Sequence, residues 1–290
     1  MRTAPTLLVL AASLLCAPVA MALSEYGIEG MGVVSTRAAE GRASVSPDGQ
    51  RIVFASDRAG GAGGWDLWQA SLREGRWQSA QPLALNTAHD EVDPYFSHDG
   101  RWLLFASSRE AGLALYRAPV SPSGEVGTPE RLPGEAGRAP ERSPALSAQG
   151  DWLLFSRKDA EGGWNLHAAP MQPSGRGTAR ALATLNTAAD ERSADWLGTH
   201  GAVVFTRVEG DTARVWHAAC AFSGADARPL ALSFNTAGGF TEAPVVDAAK
   251  PTELLVSSGS ARSPRAGGTD VYRLVTPQAP ATPGCLPAVR

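Results

Sequence analysis

Apolar runs recur along this chain at a nearly fixed interval. Phe54, Phe105, Phe155 and Phe205 sit near the end of four of them, and Val256 takes the same place in a fifth. The spacings are 51, 50, 50 and 51 residues. Such a period marks a repeat architecture, because one unit of this size cannot bury its apolar face alone and must stack on its neighbours.

Each unit reads alike. A short strand comes first, at 43–46, 93–97, 143–147, 194–197 and 244–247. A turn follows at Asp48-Gly49, Asp99-Gly100, Gln149-Gly150 and His200-Gly201, with Lys250-Pro251 in the fifth unit. Asp-Gly favours a two-residue hairpin with both residues at positive φ. Next comes the apolar run. It is too short for a helix, does not alternate with polar residues, and carries β-branched and aromatic side chains, so it reads as a strand buried on both faces. A third strand begins near Trp65, Leu113, Trp164, Arg214 and Asp270. A weaker, more polar fourth lies near 82–85, 129–132, 180–185 and 229–232. Three of these fourth strands run into an Asn-Thr pair: Asn86-Thr87, Asn186-Thr187 and Asn235-Thr236.

Four antiparallel strands per unit, in tandem, describe the blade of an all-β propeller. The count gives five blades, with six as the alternative. The fifth unit lacks a fourth strand and ends in a Pro-rich tail. Thr36 and Glu40 repeat the spacing of Thr87 with Glu91 and Thr187 with Glu191. The segment Gly32–Thr36 is therefore expected to supply the outer strand of the last blade, closing the ring and removing a sheet edge.

Residues 1–22 are expected to be a secretory leader. Arg2 precedes an apolar stretch from Leu7 to Ala20, too short to span a bilayer, and Ala20-Met21-Ala22 is a small-x-small cleavage site. Cys16 raises a lipoprotein reading, but Leu15 before it is not small. Residues 23–290 then form one propeller domain in the periplasm or outside the cell. No second long apolar run exists. Cleavage leaves Cys220 and Cys285, which in an exported protein suggest a disulfide worth about 4 kcal/mol by chain entropy. The alternative is one buried thiol and one free thiol in the tail.

The net charge of −3 and the absence of a basic patch argue against nucleic acid as a partner. Glutamates recur once per unit: Glu40, Glu91, Glu141, Glu191 and Glu242. One reading is an acidic ring at the channel mouth that binds a cation or a basic peptide. The other pairs them with arginines that recur after the apolar strand: Arg58, Arg109, Arg157 and Arg207, less regularly Arg262. Five unpaired carboxylates in a narrow channel would repel one another.

Other candidates are weaker. Gly60-Gly61-Ala62-Gly63-Gly64 lacks the Lys-Ser/Thr ending of a phosphate loop and reads as a flexible inter-strand loop. The five histidines show no metal spacing, and Glu91, Asp93 and Asp99 follow no calcium-loop pattern. No metal or cofactor is expected. Glu91, Asp93, Glu191 and Asp195 could meet near the channel as glycosidase carboxylates, although the repeat accounts for them equally well. Trp102 and Trp152 fit inter-blade packing. Trp65, Trp68, Trp164 and Trp216 sit where half-exposure would suit a stacking surface.

The runs Ser46-Pro47-Asp48-Gly49 … Ile52-Val-Phe-Ala-Ser-Asp-Arg58 and Phe96-Ser97-His-Asp-Gly100 … Phe105-Ala-Ser-Ser-Arg109 resemble the PD40 (WD40-like) repeat. Ser56 to Trp68, with Trp77 and Asn86-Thr87…Glu91, is similar to PD40 propellers attached to OmpA-like domains. The resemblance spans 32–275 and is strongest in the first three units. It implies a TolB-like propeller and an envelope location. TolB propellers usually have six blades and a separate N-terminal α/β domain, so the resemblance does not carry TolB's particular partners.

The function expected is an exported, monomeric, non-enzymatic propeller binding another envelope protein or a polymer at one rim. The alternatives are a glycoside hydrolase or lyase on the same scaffold, and a regulatory propeller partnering a separate hydrolase.

Overall fold

Each apolar run becomes the second strand of a four-stranded antiparallel sheet, and five such sheets form the ring in a computed structural model of the chain. The structure describes residues 25–110, 112–133, 139–223, 226–260, 264–278, 282 and 284–287. The expected leader and Arg262 lie outside them. Among the described residues there is no helix, hence none long and apolar enough to cross a membrane.

Blade one runs outward through Glu40–Val45, Arg51–Ser56 and Asp66–Arg73 to the short pieces Arg76–Trp77 and Gln81–Pro82. The inner strands of the next four blades are Glu91–Phe96, Glu141–Leu146, Asp190–Leu197 and Thr241–Val246. These strands start at or one residue before the repeated glutamate or Thr241, not after it. The second strands are buried on both faces as their unbroken apolarity requires: Phe54, Phe105, Phe155 and Phe205 are each 0% exposed. Replacing one with alanine would cost about 3–5 kcal/mol.

The hairpin turns differ from the expected two-residue form. Only the glycine has positive φ, at Gly49, Gly100 and Gly150, because the turn spans four residues from a serine. Gly49 N–H donates to the Ser46 carbonyl, Gly100 to Ser97 and Gly150 to Ser147.

Outer strands in blades one to four are only two residues long. The Asn of each Asn-Thr pair finishes the edge. Asn86 Oδ1 accepts from Leu67 N–H and its Nδ2 donates to Leu67 C=O, both at 3.0 Å. Asn186 does the same to Leu166, and Asn235 to Val215. The side chain thus acts as one more strand residue before the chain crosses to the next blade.

An N-terminal strand closes the ring, but it is Glu25–Ile28 and not Gly32–Thr36. Glu25, Gly27 and Ile28 pair with Leu274, Arg273 and Tyr272 of blade five. Gly32–Thr36 cannot be that strand because residues 30–35 are a tight turn, with Val33 and Val34 N–H both donating to Gly30 C=O and Gly32 N–H to Ser35 C=O. Ser35 instead takes the asparagine's place. Its Oγ accepts from Val271 N–H at 3.0 Å and donates to Val271 C=O at 3.3 Å.

The tail beyond blade five returns beneath blade four. Cys285 is disulfide-bonded to Cys220. Gly201 leaves room for it: a Cβ there would stand 2.7 Å from Cys285 Sγ. Beyond the bridge, the Pro287 carbonyl accepts from the Trp152 indole N–H at 3.3 Å.

Candidate functional site

The repeated glutamates and arginines meet between blades, away from the axis. Glu40, Glu91 and Glu191 are 0% exposed and Glu141 is 3% exposed. Glu91 accepts from Thr87 N–H at 2.7 Å, Thr87 Oγ1 at 2.8 Å, Ser107 Oγ at 2.7 Å and Arg109 Nη2 at 3.2 Å. Glu40 has the same four partners in Thr36, Ser56 and Arg58. Burial pushes the Glu40 carboxyl up, against the opposing pull of Thr36 and Arg58.

In blades three and four an arginine replaces the serine opposite the glutamate. Arg157 pairs with Glu141 and Arg207 with Glu191 directly across the strand pair. Four residues before Glu141 the sequence has Gly137, with no hydroxyl; buried Arg176 supplies a second partner to Glu141 at 2.7 Å. Each arginine also lies over the repeat phenylalanine, Arg58 over Phe54 at 4.6 Å and Arg109 over Phe105 at 5.3 Å. Glutamate, arginine and phenylalanine thus form one packed unit under each crossing.

Glu242 is not the fifth member of this column. Thr241 occupies it, 0% exposed and bonded to Ser258 Oγ at 2.9 Å. Adjacent strand residues point to opposite faces, so the one-residue offset turns Glu242 to the channel. There it pairs with Arg192 at 2.8 Å.

The channel is shaped by a shared irregularity. Asp93, Ser143, Ser193 and Ala243 all have positive φ, between 53° and 57°, where the inner strand slips register against the second. Blade one has Arg42 at this level. Arg42 is 1% exposed and crosses the axis, donating from Nη1 to Pro144 C=O at 3.2 Å and from Nη2 to Ala194 C=O at 3.3 Å. Its Nε has no protein partner among the described residues. The guanidinium blocks the tunnel.

Deeper lie Tyr95, whose ring is 5.6 Å from that guanidinium, and Asp195. Asp195 accepts from Trp196 N–H and Val246 N–H, each at 2.8 Å. Burial nevertheless pushes its carboxyl up, with Arg42 as the main opposing charge.

Above Arg42, on the rim where the chain crosses between blades, a bowl of about 320 Å³ opens. Asp93 forms its floor with Arg142, bonded at 2.7 and 3.1 Å, and with Ser143 N–H and Oγ. Burial opposes ionisation of Asp93, but Arg142, Arg42 and Ser143 outweigh it and hold the carboxyl at about 2. Arg142 is correspondingly raised. Val92, Leu113 and Trp65 form the apolar wall. Trp65 lies across Gly41, close enough that a Cβ there would be in van der Waals contact with its ring at 3.4 Å. Trp65 N–H donates to Asp90 Oδ1 at 2.9 Å, fixing the start of the third strand.

Of the four carboxylates grouped near the channel by sequence, Asp93 and Asp195 lie on it, separated by Arg42, while Glu91 and Glu191 face into the blade stack. Arg42 was missed. Its signal is that a large cation stands in a column otherwise filled by Asp93, Ser143, Ser193 and Ala243. Asp99 is apart, in a turn with Ser97 and Arg101. Among the described residues no group of three or more His, Cys, Asp or Glu could hold a metal ion.

The Gly-rich loop is pinned to the same rim. Asp66 accepts from Ala62 and Gly63 N–H, and a Cβ on Gly63 would stand 2.6 Å from the Thr87 and His89 carbonyls. A second cleft, about 450 Å³, lies between blades two and three on the opposite rim, beside Trp102 and the Arg117 stacked on it at 4.3 Å. It does not reach the channel residues.

No family model matches the chain, and no curated protein does. Many solved structures share its fold. A thermostable family-43 glycoside hydrolase superposes with a TM-score of 0.57 at 14% identity, covering 89% of this chain and 99% of that one. The putative TolB from Agrobacterium tumefaciens gives 0.54 at 12% identity, covering 83% and 91%. A chain of a nidogen/laminin complex gives 0.50 at 13% identity, covering 77% of each. Likeness at this identity establishes the propeller fold and nothing finer.

Proposed function

We propose that the protein is an exported, non-catalytic propeller that holds another envelope protein or an envelope polymer at its crossing rim, around the bowl. Export rests on the leader expected at 1–22 and suits the Cys220–Cys285 bridge. The observation that carries the binding role is the commitment of two of the bowl's three carboxylates to arginines. Asp93 is held ionised by Arg142, and Glu242 pairs with Arg192. A general acid needs a raised pKa near the working pH, and Asp93 is displaced the other way. Asp195, whose pKa is raised, is sealed beneath Arg42. In this reading Glu40, Glu91, Glu141 and Glu191 fasten blades together.

Capture from envelope extract on the immobilised mature chain, repeated with Trp65→Ala, tests the proposal. Specific retention that Trp65→Ala abolishes is the expected result. One observation favours the hydrolase reading: Asp93 and Glu242 line a single cavity. Release of nitrophenol from aryl glycosides, stopped by Asp93→Asn, would replace the proposal with that reading.

A further inference from the structure

The bowl's chemistry narrows the ligand class, given the binding role proposed above. Two of its three carboxylates are already matched, Asp93 with Arg142 on one side and Glu242 with Arg192 on the other, while the exposed Asp90 accepts the Trp65 N–H. A charged side chain or free ion reaching the two pairs would find its counter-charge engaged. Each pair still sets hydrogen-bond donors and acceptors side by side. Vicinal hydroxyls, which donate and accept at once, complement such pairs. The buried Arg42 Nε–H at the floor is a further donor without a protein partner among the described residues.

The opposite wall suits the apolar face of a ring. Trp65 is half-buried, lies across Gly41, and is flanked by Val92 and Leu113. At about 320 Å³ the bowl is at the small end of ligand pockets, which run from about 300 to 1,000 Å³. Arg42 closes its base, so a chain cannot thread through and only an end can enter. We infer that the bowl binds the terminal ring of a neutral saccharide, stacked on Trp65 with its hydroxyls on the Asp93–Arg142 and Glu242–Arg192 pairs.

The test titrates the purified mature chain with methyl glycosides of glucose, galactose, N-acetylglucosamine, arabinose and xylose. Galacturonate, glucosamine and short Arg- or Glu-containing peptides are the charged counterparts. Saturation-transfer NMR and tryptophan fluorescence report binding. At least one neutral glycoside should bind in preference to the charged probes. Trp65→Ala should weaken it about tenfold, the loss of one ring contact, Trp65→Phe less, and Trp102→Phe on the opposite rim not at all. Trp65→Phe keeps the test valid if the alanine variant does not fold. Absence of binding by every neutral glycoside, or binding indifferent to both Trp65 variants, overturns the inference. If a peptide binds instead and Trp65→Phe weakens it, the saccharide inference falls while the binding role stands. Hydrolysis of aryl glycosides overturns the binding role itself.

Discussion

Arg42 on blade one donates from Nη2 to the backbone carbonyl of Ala194 on blade four, 152 residues away and across the axis of the ring. The same guanidinium holds Pro144 of blade three. One side chain therefore ties three inner strands together from inside.

Replacing Arg42 with alanine would leave the buried Asp195 without its main opposing charge and two carbonyls without donors. Breaking a buried charged contact from one side costs about 3–5 kcal/mol. Urea denaturation should show a loss of that size for Arg42→Ala. Arg42→Lys should recover only part, because one ammonium cannot span both carbonyls in the planar geometry of a guanidinium.

Glu91 and Glu242 offer a contrast between two carboxylates of one sequence pattern. Glu91→Gln strips a buried cluster and leaves Arg109 uncompensated, so a loss of about 3 kcal/mol or more is expected. The Glu242–Arg192 pair has side chains 23% and 17% exposed, and Glu242→Gln should cost about 1 kcal/mol or less. Equal losses in parallel denaturation curves would contradict the one-residue offset that puts Thr241 in the glutamate column.

Acid should weaken the ring through Asp93. Its folded carboxyl sits at about 2, below the ordinary value of 3.8. A depressed carboxylate stabilises the fold fully above its unfolded pKa, and that contribution is lost as pH falls through the folded one. For Asp93 this is about 2–3 kcal/mol, lost between about pH 4 and pH 2. Asp93→Asn should be less stable than the parent at neutral pH, with the gap closing over that window. Asp195 and Glu40 are raised, so their sign is opposite: protonating them on acidification favours the folded state.

The tail disulfide closes a 65-residue separation. Reduction, or Cys220→Ser, should lower stability by about 4 kcal/mol on the chain-entropy estimate. It should also open residues beyond Val275 to protease while the blades stay resistant. A thiol titration of the denatured, unreduced mature chain should find no free thiol.

The blades were legible because their signal is repeated, and chance does not place phenylalanine at 54, 105, 155 and 205. The outer strands were not, since two residues carry little pattern and the edge is completed by Asn86, Asn186, Asn235 and Ser35. The closing strand was misplaced for that reason. Ser35 does an asparagine's work without looking like one, so the segment around it resembled a strand. The bowl was least legible. Repetition reveals what the units share, and a site on the axis is made where they differ: Gly41 against Val92, Arg42 against Ser143, Glu242 against Arg192. Glu242 shows the limit sharply, because one position of slippage in a strand exchanges an interior neighbour for a channel neighbour.

Ring closure also has a direction in time. Glu29 meets Arg273 across 244 positions, and the strand that completes blade five is the first among the described residues. A chain delivered from its N-terminus emerges latch first and catch last. Blades one to four can pair internally as they arrive, but Glu25–Ile28 stays unpartnered until Asp270–Val275 has followed. The entropy of joining such distant ends grows only slowly with length, while contacts of this range slow folding. The ring should therefore behave as an open arc for most of its assembly, and its last event is the meeting of its two ends.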